Sequence, residues 1–171
     1  MRRFVVVATL ALMAAAAAPT PHDARAQGLG AADVTAAVRV LDGDTLEIAG
    51  TTVRLFGIDA PERNQTCTVR DLPWPCGALA RDALADLAAG RVVECTPVAR
   101  DALGRIMARC QAAGRDLAAT MVKGGWALAA RPESLDYVAL EEAAAKSRAG
   151  LWRGDFVQPW VFRRIVDTAA R

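Results

Sequence analysis

The sequence predicts an α+β domain built on a small Greek-key β-barrel. Short β-rich segments dominate the first half of the chain, and turns that contain glycine separate them. Helical patterns of apolar residues lie among and after these segments. Five short strands around one helix, followed by further helices, are typical of such a barrel.

The strands and helices are predicted from these patterns in chain order. With the turn of the second hairpin centred near Gly50, we expect Arg54 to lie opposite Leu46. The polar, proline-containing segment 63–76 is predicted to be a loop. Strands are predicted at 36–40, 45–48, 52–58, 92–96 and 105–112, and helices at 77–89, 117–123 and 135–149.

The first 26 residues have the pattern of a secretory signal peptide. Arg2 and Arg3 precede an apolar run at 4–18, and Ala24-Arg25-Ala26 offers a cleavage site. A membrane anchor is the alternative, but the run is shorter than the ~20 residues that span a bilayer. We therefore predict a secreted or periplasmic protein without stable membrane association after cleavage. Its parts would be a signal peptide at 1–26, a linker at 27–35, a domain at 36–155 and a C-terminal tail at 156–171.

Charge and histidine content narrow the chemistry. The chain has 21 basic and 19 acidic residues, and removing Arg2, Arg3, Arg25 and Asp23 with the leader leaves 18 of each. A polyanionic partner would then be held by local positive charge. The single histidine, His22, also lies in the leader. A mature chain without histidine excludes His-dependent triads and nucleases and His-ligated zinc, so carboxylates must do any acid–base work.

Four cysteines in an exported chain predict two disulfides. The segment VVECTPVARDALGRIMARC reads as a hairpin whose turn lies near Ala102 and Leu103. Cys95 and Cys110 would then lie directly opposite each other, within reach of a disulfide. This pairing leaves Cys67 with Cys76. A metal site is the rival interpretation, but the sequence has no C-x-x-C spacing that supports it.

An acidic cluster lies in the stretch VLDGDTLEIAGTTVRLFGIDAPE. It contains Asp42, Asp44, Asp59 and Glu62, with Arg54 among them. Buried carboxylates need a positive partner, and ligands that offer only oxygen suit a hard cation such as Ca²⁺. The alternative is a set of turn and N-cap acids, which are common in D-G-D and D-A-P sequences.

Three motifs resemble those of the staphylococcal-type thermonuclease family: VLDGDTLEI, VRLFGIDAPE and DALGR, in this order and spacing. The resemblance continues through MVKGGWALA and AAAKSRAGLW and covers residues 38–152. It implies a five-stranded OB-type barrel with about three helices. It also implies Ca²⁺-dependent hydrolysis of phosphodiesters in DNA and RNA, leaving 3′-phosphates. We expect a monomer.

The resemblance also implies roles for individual residues. Asp44 and Asp59 resemble the direct Ca²⁺ ligands, and the backbone carbonyl of Ala60 would be a third ligand. Asp42 would lie in the outer shell of the ion. The catalytic residues would be Glu62, which positions and deprotonates the attacking water, and two arginines that grip the phosphate, Arg54 and Arg105.

The sequence departs from the family pattern at several places. Ala60 replaces a threonine, and Leu103 replaces a tyrosine before glycine. The segment ARPES lies where the family prototype has tyrosines, so base stacking needs another source. The candidates for that stacking are Trp74, Trp126 and Tyr137, but each of them is expected to lie in the core. FVQPWVFRR is expected to pack as a tail rather than to form a basic aromatic contact surface.

Two other function classes remain open from the sequence. A non-catalytic OB module that binds nucleic acid would not need Glu62 and both arginines. A structural periplasmic domain would leave all five charged residues of the motifs unexplained. The retained charges therefore favour the nuclease.

Overall fold

The computed structural model describes residues 38–170 of the chain. The predicted signal peptide and linker lie outside these residues. The strands are β1 Val38–Asp42, β2 Thr45–Ile48, β3 Thr51–Leu55, β4 Ile58–Asp59, β5 Cys67–Val69, β6 Leu72–Trp74, β7 Val93–Arg100, β8 Ile106–Ala112, β9 Arg115–Asp116 and β10 Leu128–Ala129. The helices are α1 Cys76–Ala88, α2 Leu117–Lys123, α3 Val138–Lys146 and α4 Pro159–Ala169, and a 3₁₀ turn spans Gly150–Arg153.

The main sheet has the strand order β1-β2-β3-β8-β7, with β9 paired to β8. All its neighbours are antiparallel except β3 and β8, which run parallel. The curled sheet and its helices confirm the predicted α+β, OB-type class. Four helices lie within residues 38–170 instead of about three, because α4 forms in the segment that we predicted as a tail.

The register of the β2–β3 hairpin differs by one residue from our prediction. Arg54 lies opposite Thr45, and Leu46 lies opposite Val53. The reason is the turn, which has two residues, Ala49 and Gly50, both with positive φ angles of 50° and 76°. Two-residue turns with positive φ match the twist of a hairpin, so the centre lies between these residues and not on Gly50.

Two other segments also differ from the sequence prediction. The strand predicted at 52–58 is divided into β3 and β4 by a turn at Gly57, whose φ is +84°. A Cβ atom there would lie 2.8 Å from the Tyr137 ring, so only glycine fits. The loop predicted at 63–76 contains the small antiparallel hairpin β5–β6, which ends at the Cys67–Cys76 bridge.

The hydrophobic core lies between the sheet and helices α1 and α2. Leu46, Leu55 and Ile58 from the strands have no exposed surface. Leu84 of α1 and Met121 of α2 are equally buried and belong to the same cluster. Burial of such side chains stabilises the fold by about 1.5–3 kcal/mol each. The core therefore anchors the strand ends that carry the acidic motifs.

Both predicted disulfides are present. Cys95 and Cys110 are directly paired in the β7–β8 ladder, with Cα atoms 4.1 Å apart. Cys67 and Cys76 are bridged across β5–β6 and the start of α1, with Cα atoms 5.6 Å apart. The hairpin interpretation of the sequence is thus confirmed, and the rival metal interpretation of the cysteines is wrong.

We expect the Cys95→Ser/Cys110→Ser variant to be less stable by about 3 kcal/mol, as the chain-entropy model gives for a loop of this length. The loop between these cysteines spans 15 residues, whereas Cys67–Cys76 spans 9 and should contribute less. Denaturant unfolding of both double variants, under non-reducing conditions, measures the difference. An equal or larger loss for Cys67→Ser/Cys76→Ser would contradict this ranking.

Helix α4 begins at Pro159, whose fixed φ suits the first turn of a helix. Pro159 is the only residue of α4 that is buried, and Ile165 and Val166 are 56% and 43% exposed. Gln65 Nε2 also donates to the carbonyl of Val157 at 2.6 Å, just before the helix. The helix is therefore fixed to the domain at its N-terminal end.

Within residues 38–170, no helix is both long and apolar enough to cross a membrane.

Candidate active site

A cavity of about 750 Å³ opens beside the ends of β1, β3 and β4. All six charged residues that the sequence predicts for the site line this cavity. Their convergence is notable because they come from three separate segments of the chain. These residues are Asp42, Asp44, Arg54, Asp59, Glu62 and Arg105.

Asp42 and Asp44 lie at the turn between β1 and β2. Asp44 is 7% exposed, and its Oδ1 accepts a hydrogen bond from Thr45 Oγ1 at 2.7 Å. Asp42 Oδ1 accepts from the backbone N–H of Gly43 at 2.9 Å. The pKa of Asp42 is raised to about 6, mainly by burial and also by the negative charges of Asp44 and Glu62, against the backbone hydrogen bond from Gly43. This corner therefore concentrates negative charge.

Asp59 ends β4 and faces the same corner. It is 4% exposed, and burial raises its pKa, with the charge of Asp44 acting in the same direction. The backbone N–H of Ala60 donates to Asp44 Oδ2 at 3.3 Å. Two buried carboxylates are thus held close together by the backbone that follows β4.

Arg54 is held in one orientation by three neighbours. Its Nη1 donates to Glu133 Oε1 at 2.6 Å, and its Nη2 donates to the Ile58 carbonyl at 2.7 Å. Its Nε lies 3.6 Å from Asp44 Oδ2. Burial lowers the pKa of Arg54, but the charges of Asp44 and Glu133 outweigh burial and the net pKa is raised. The guanidinium is therefore charged and fixed.

Glu133 was not predicted as a site residue. Its second oxygen accepts from the Gly57 N–H at 2.9 Å, so one carboxylate ties Arg54 to the turn between β3 and β4. The residue lies in the turn after β10, within the segment ARPES. Nothing in that pattern indicates a partner 79 residues earlier in the chain.

Arg105 enters the cavity from the turn between β7 and β8. Its Nε donates to Asp101 Oδ2 at 2.6 Å, and Asp101 Oδ1 accepts the backbone N–H of both Leu103 and Arg105 at 2.9 Å. The Arg105 side chain is 39% exposed, so it can reach a bound molecule. Leu103 lies at the rim with 80% of its surface exposed.

Glu62 lies on the loop after β4, and its side chain is 29% exposed. The Gln65 N–H donates to the backbone carbonyl of Glu62 at 2.7 Å, and the Glu62 N–H donates to Gln65 Oε1 at 3.3 Å. Cys76 Sγ lies 3.4 Å from the Gln65 carbonyl. A Cβ atom on Gly77 would lie only 1.7 Å from the Glu62 carbonyl oxygen. Helix α1 thus packs directly against the backbone of Glu62, and the disulfide packs against that of Gln65.

We expect Gly77→Ala to lower catalytic turnover, because the new methyl group must push the Glu62 backbone away. Overpacking of this kind costs about 1–3 kcal/mol of stability. Turnover should still be low at a temperature at which circular dichroism shows the variant to be folded. Leu79→Ala, on an exposed face of the same helix, is the control. A folded Gly77→Ala variant with wild-type turnover would show that the position of this backbone is not critical.

Arg163 of α4 reaches into the acidic corner. Its Nη1 donates to Asp59 Oδ1 at 2.9 Å and to Glu62 Oε1 at 2.7 Å, and its Nη2 donates to Asp59 Oδ2 at 2.6 Å. The pKa of Arg163 is raised, first by the hydrogen bond to Asp59 and then by Glu62, against burial. Arg163 was not predicted as a site residue, although it belongs to the basic aromatic pattern FVQPWVFRR.

The donor set fits a divalent cation. The cavity is lined by six carboxylates and four arginines, a formal excess of two negative charges. The acidic corner offers oxygen donors, which hard cations prefer. Within residues 38–170 no three His, Cys, Asp or Glu side chains form a ready-made metal-binding group. The expected ligand set does not need one, because it uses two direct carboxylates and a backbone carbonyl.

The aromatic residues are divided between the core and the cavity. Trp74 and Tyr137 are 8% and 3% exposed and pack in the core, as predicted. Trp126 packs edge-on against Trp74 with the ring centroids 6.4 Å apart. Trp160 of α4, which the sequence analysis did not single out, lines the cavity. The cavity therefore has an aromatic wall from α4 and not from the predicted candidates.

The chain matches a known protein family over most of this domain. The family description is "Staphylococcal nuclease homologue", and the match covers residues 52–154. It includes Arg54, Asp59, Glu62 and Arg105 but ends before helix α4.

Similar proteins occur in several bacteria. The chain is 37% identical over 137 residues to "Succinoglycan biosynthesis protein ExoI" of Rhizobium meliloti (strain 1021), covering 77% of this chain and 69% of the relative. It is 35% identical over 134 residues to an "Uncharacterized endonuclease" of Escherichia coli, covering 74% and 82%. It is 34% identical over 150 residues to "Micrococcal nuclease" of Shigella flexneri, covering 77% and 81%.

Proposed function

We propose, from the premise that this chain belongs to the staphylococcal nuclease family, that its cavity hydrolyses phosphodiester bonds in DNA and RNA with the help of Ca²⁺. Membership in this family makes the chain a nuclease. What we propose beyond that is the metal, the range of substrates and the 3′-phosphate products. The observation that carries this proposal is that three aspartates line one cavity together with Arg54, Glu62 and Arg105.

In this proposal Arg54 and Arg105 hold the phosphate. A guanidinium presents several N–H donors in a rigid plane, which matches phosphate oxygens. Arg54 is already oriented by Glu133 and Ile58, and Arg105 by Asp101. Such fixed donors stabilise charge that develops on the phosphoryl oxygens without rearranging during the reaction.

Glu62 is proposed as the general base. Its side chain is 29% exposed, against 10% for Asp44 and 6% for Asp59, and it lines the cavity that Arg54 also lines. With no histidine in residues 38–170, a carboxylate is the available group that can take a proton from water. In the structure Arg163 contacts Glu62, so the base would have to be released from that contact to act.

Asp44 and Asp59 would hold the Ca²⁺, with the Ala60 carbonyl as a further ligand and Asp42 in the outer shell. A bound divalent cation supplies Lewis-acid polarisation and charge neutralisation at the phosphate. What supports this assignment is the formal excess of two negative charges around the cavity and the closeness of Asp44 to Asp59.

The compartment and quaternary state belong to the same proposal. Two disulfides favour an oxidising environment, in agreement with the predicted export of the chain to the periplasm or the medium. The division into leader, linker, domain at 36–155 and tail stays a prediction, as does the monomeric state.

Digestion of plasmid DNA and of a defined RNA tests the proposal. We expect both to be cut with Ca²⁺ present, and cutting to stop when a chelator removes it. Mg²⁺ is smaller and demands stricter octahedral geometry, so it should support much less turnover. Full activity in Mg²⁺ alone would refute the Ca²⁺ assignment. Binding of both nucleic acids without any cutting would favour the non-catalytic OB module.

A further inference from the structure

Among the described residues, the positive charge nearest to Asp59 and Glu62 is the guanidinium of Arg163. Arg163 donates to both oxygens of Asp59, at 2.9 and 2.6 Å, and to Glu62 at 2.7 Å. These are the carboxylates that the proposed function needs as a metal ligand and as the base. Because Asp59 is only 4% exposed, its oxygens have little other access to a cation.

We propose that Arg163 is a built-in counter-cation of the acidic corner, and that Ca²⁺ binds in competition with it. The proposal rests on the metal site of the proposed function. The guanidinium and the ion would both be drawn to Asp59, and two positive charges at such a distance repel each other strongly in a partly buried site. Arg163 thereby sets the Ca²⁺ concentration at which the site loads, and its release frees Glu62.

The packing of α4 allows this exchange. Pro159 is the only buried residue of the helix, and the residues from 164 to 170 are all exposed. A segment with few buried apolar contacts opens at a low cost in free energy. The helix is fixed at its start by Pro159 and by the hydrogen bond from Gln65 to Val157, and farther along by Arg163. Loss of the Arg163 contacts would leave the rest of the helix free to move.

Calorimetric titration of the folded protein with Ca²⁺ tests the competition directly, without an activity assay. We expect Arg163→Gln to bind Ca²⁺ more tightly, by on the order of tenfold, the usual size of a coupling between two sites. Arg163→Lys keeps the charge, so its Ca²⁺ affinity should lie between that of Arg163→Gln and that of the wild type. Arg164→Gln is the matched control, since it removes the same charge from an exposed neighbour that is not among the cavity-lining residues of the described chain.

A second measurement uses the unaltered protein. Amide hydrogen exchange in α4 should become faster when Ca²⁺ is added, because the ion displaces Arg163. Exchange in α2, which packs in the core, should not become faster.

The outcomes separate this inference from the proposed function. If the wild type and Arg163→Gln bind Ca²⁺ equally tightly, or if the variant binds it more weakly, the competition is wrong but the metal site is retained. Amide hydrogen exchange in α4 that does not change at saturating Ca²⁺ would also show that the competition is wrong. If neither protein binds Ca²⁺ at millimolar concentration, both the metal assignment and the competition are wrong.

Discussion

Glu62→Gln is expected to lower kcat by about 10²–10⁴-fold, the usual contribution of general base catalysis. Glutamine keeps the size of the side chain and an oxygen that can accept from Arg163, but it cannot take a proton from water. Ca²⁺ affinity should change little, because Glu62 would reach the ion only through water. Single-turnover rates at saturating Ca²⁺, together with a calcium titration, measure the two effects separately.

Two comparisons make this result specific. Glu142→Gln, an exposed position on α3, should leave kcat unchanged. Asp44→Asn, which removes a proposed direct ligand, should weaken Ca²⁺ binding itself. Near wild-type turnover of Glu62→Gln at saturating Ca²⁺ would mean that another group deprotonates the water.

Arg54→Lys is expected to lower kcat/KM by about 10²–10³-fold, the range seen when one preorganised donor is removed from an active site. The guanidinium of Arg54 donates to Glu133 and to the Ile58 carbonyl through different nitrogens. A lysine ammonium keeps the charge, but it cannot donate to both of these partners and to a phosphate. The rates are to be compared at a substrate concentration far below KM.

The stability of the Arg54→Lys variant needs its own measurement, because a buried partner left unpaired costs about 1–3 kcal/mol. Turnover should therefore be compared below the unfolding transition of the variant. Arg39→Lys is the control, since Arg39 forms a surface pair with Glu47 and lies far along β1 from the turn that holds Asp44. A small rate loss for Arg54→Lys, equal to that of the control, would remove Arg54 from the proposed clamp.

The sequence predicted the class of the fold and the members of the acidic cluster because these depend on local patterns. Alternating apolar residues indicated the strands, and cysteines equally distant from one turn indicated the Cys95–Cys110 pair. Asp42, Asp44 and Asp59 were grouped because they lie in one short stretch and match the family motifs, and in the structure they lie at neighbouring strand ends.

The sequence could not predict contacts that depend on how distant elements dock. Glu133 lies in a turn without a motif, and Arg163 lies in a helix that is buried only at its first residue; their partners are 79 and 104 residues away. The register error at Arg54 arose from a different cause. Ala49 takes a left-handed conformation that alanine seldom adopts, so a two-residue turn was not expected there.

The ion pair that orients Arg54 can form only late in the synthesis of the chain. Asp44, Arg54 and Glu62 leave the ribosome long before residue 133, which orients Arg54. Contacts between such distant residues close large loops, and their entropic cost is recovered only when the whole barrel has formed. A nascent chain that ends before residue 133 carries the carboxylates of a nuclease without an oriented phosphate clamp.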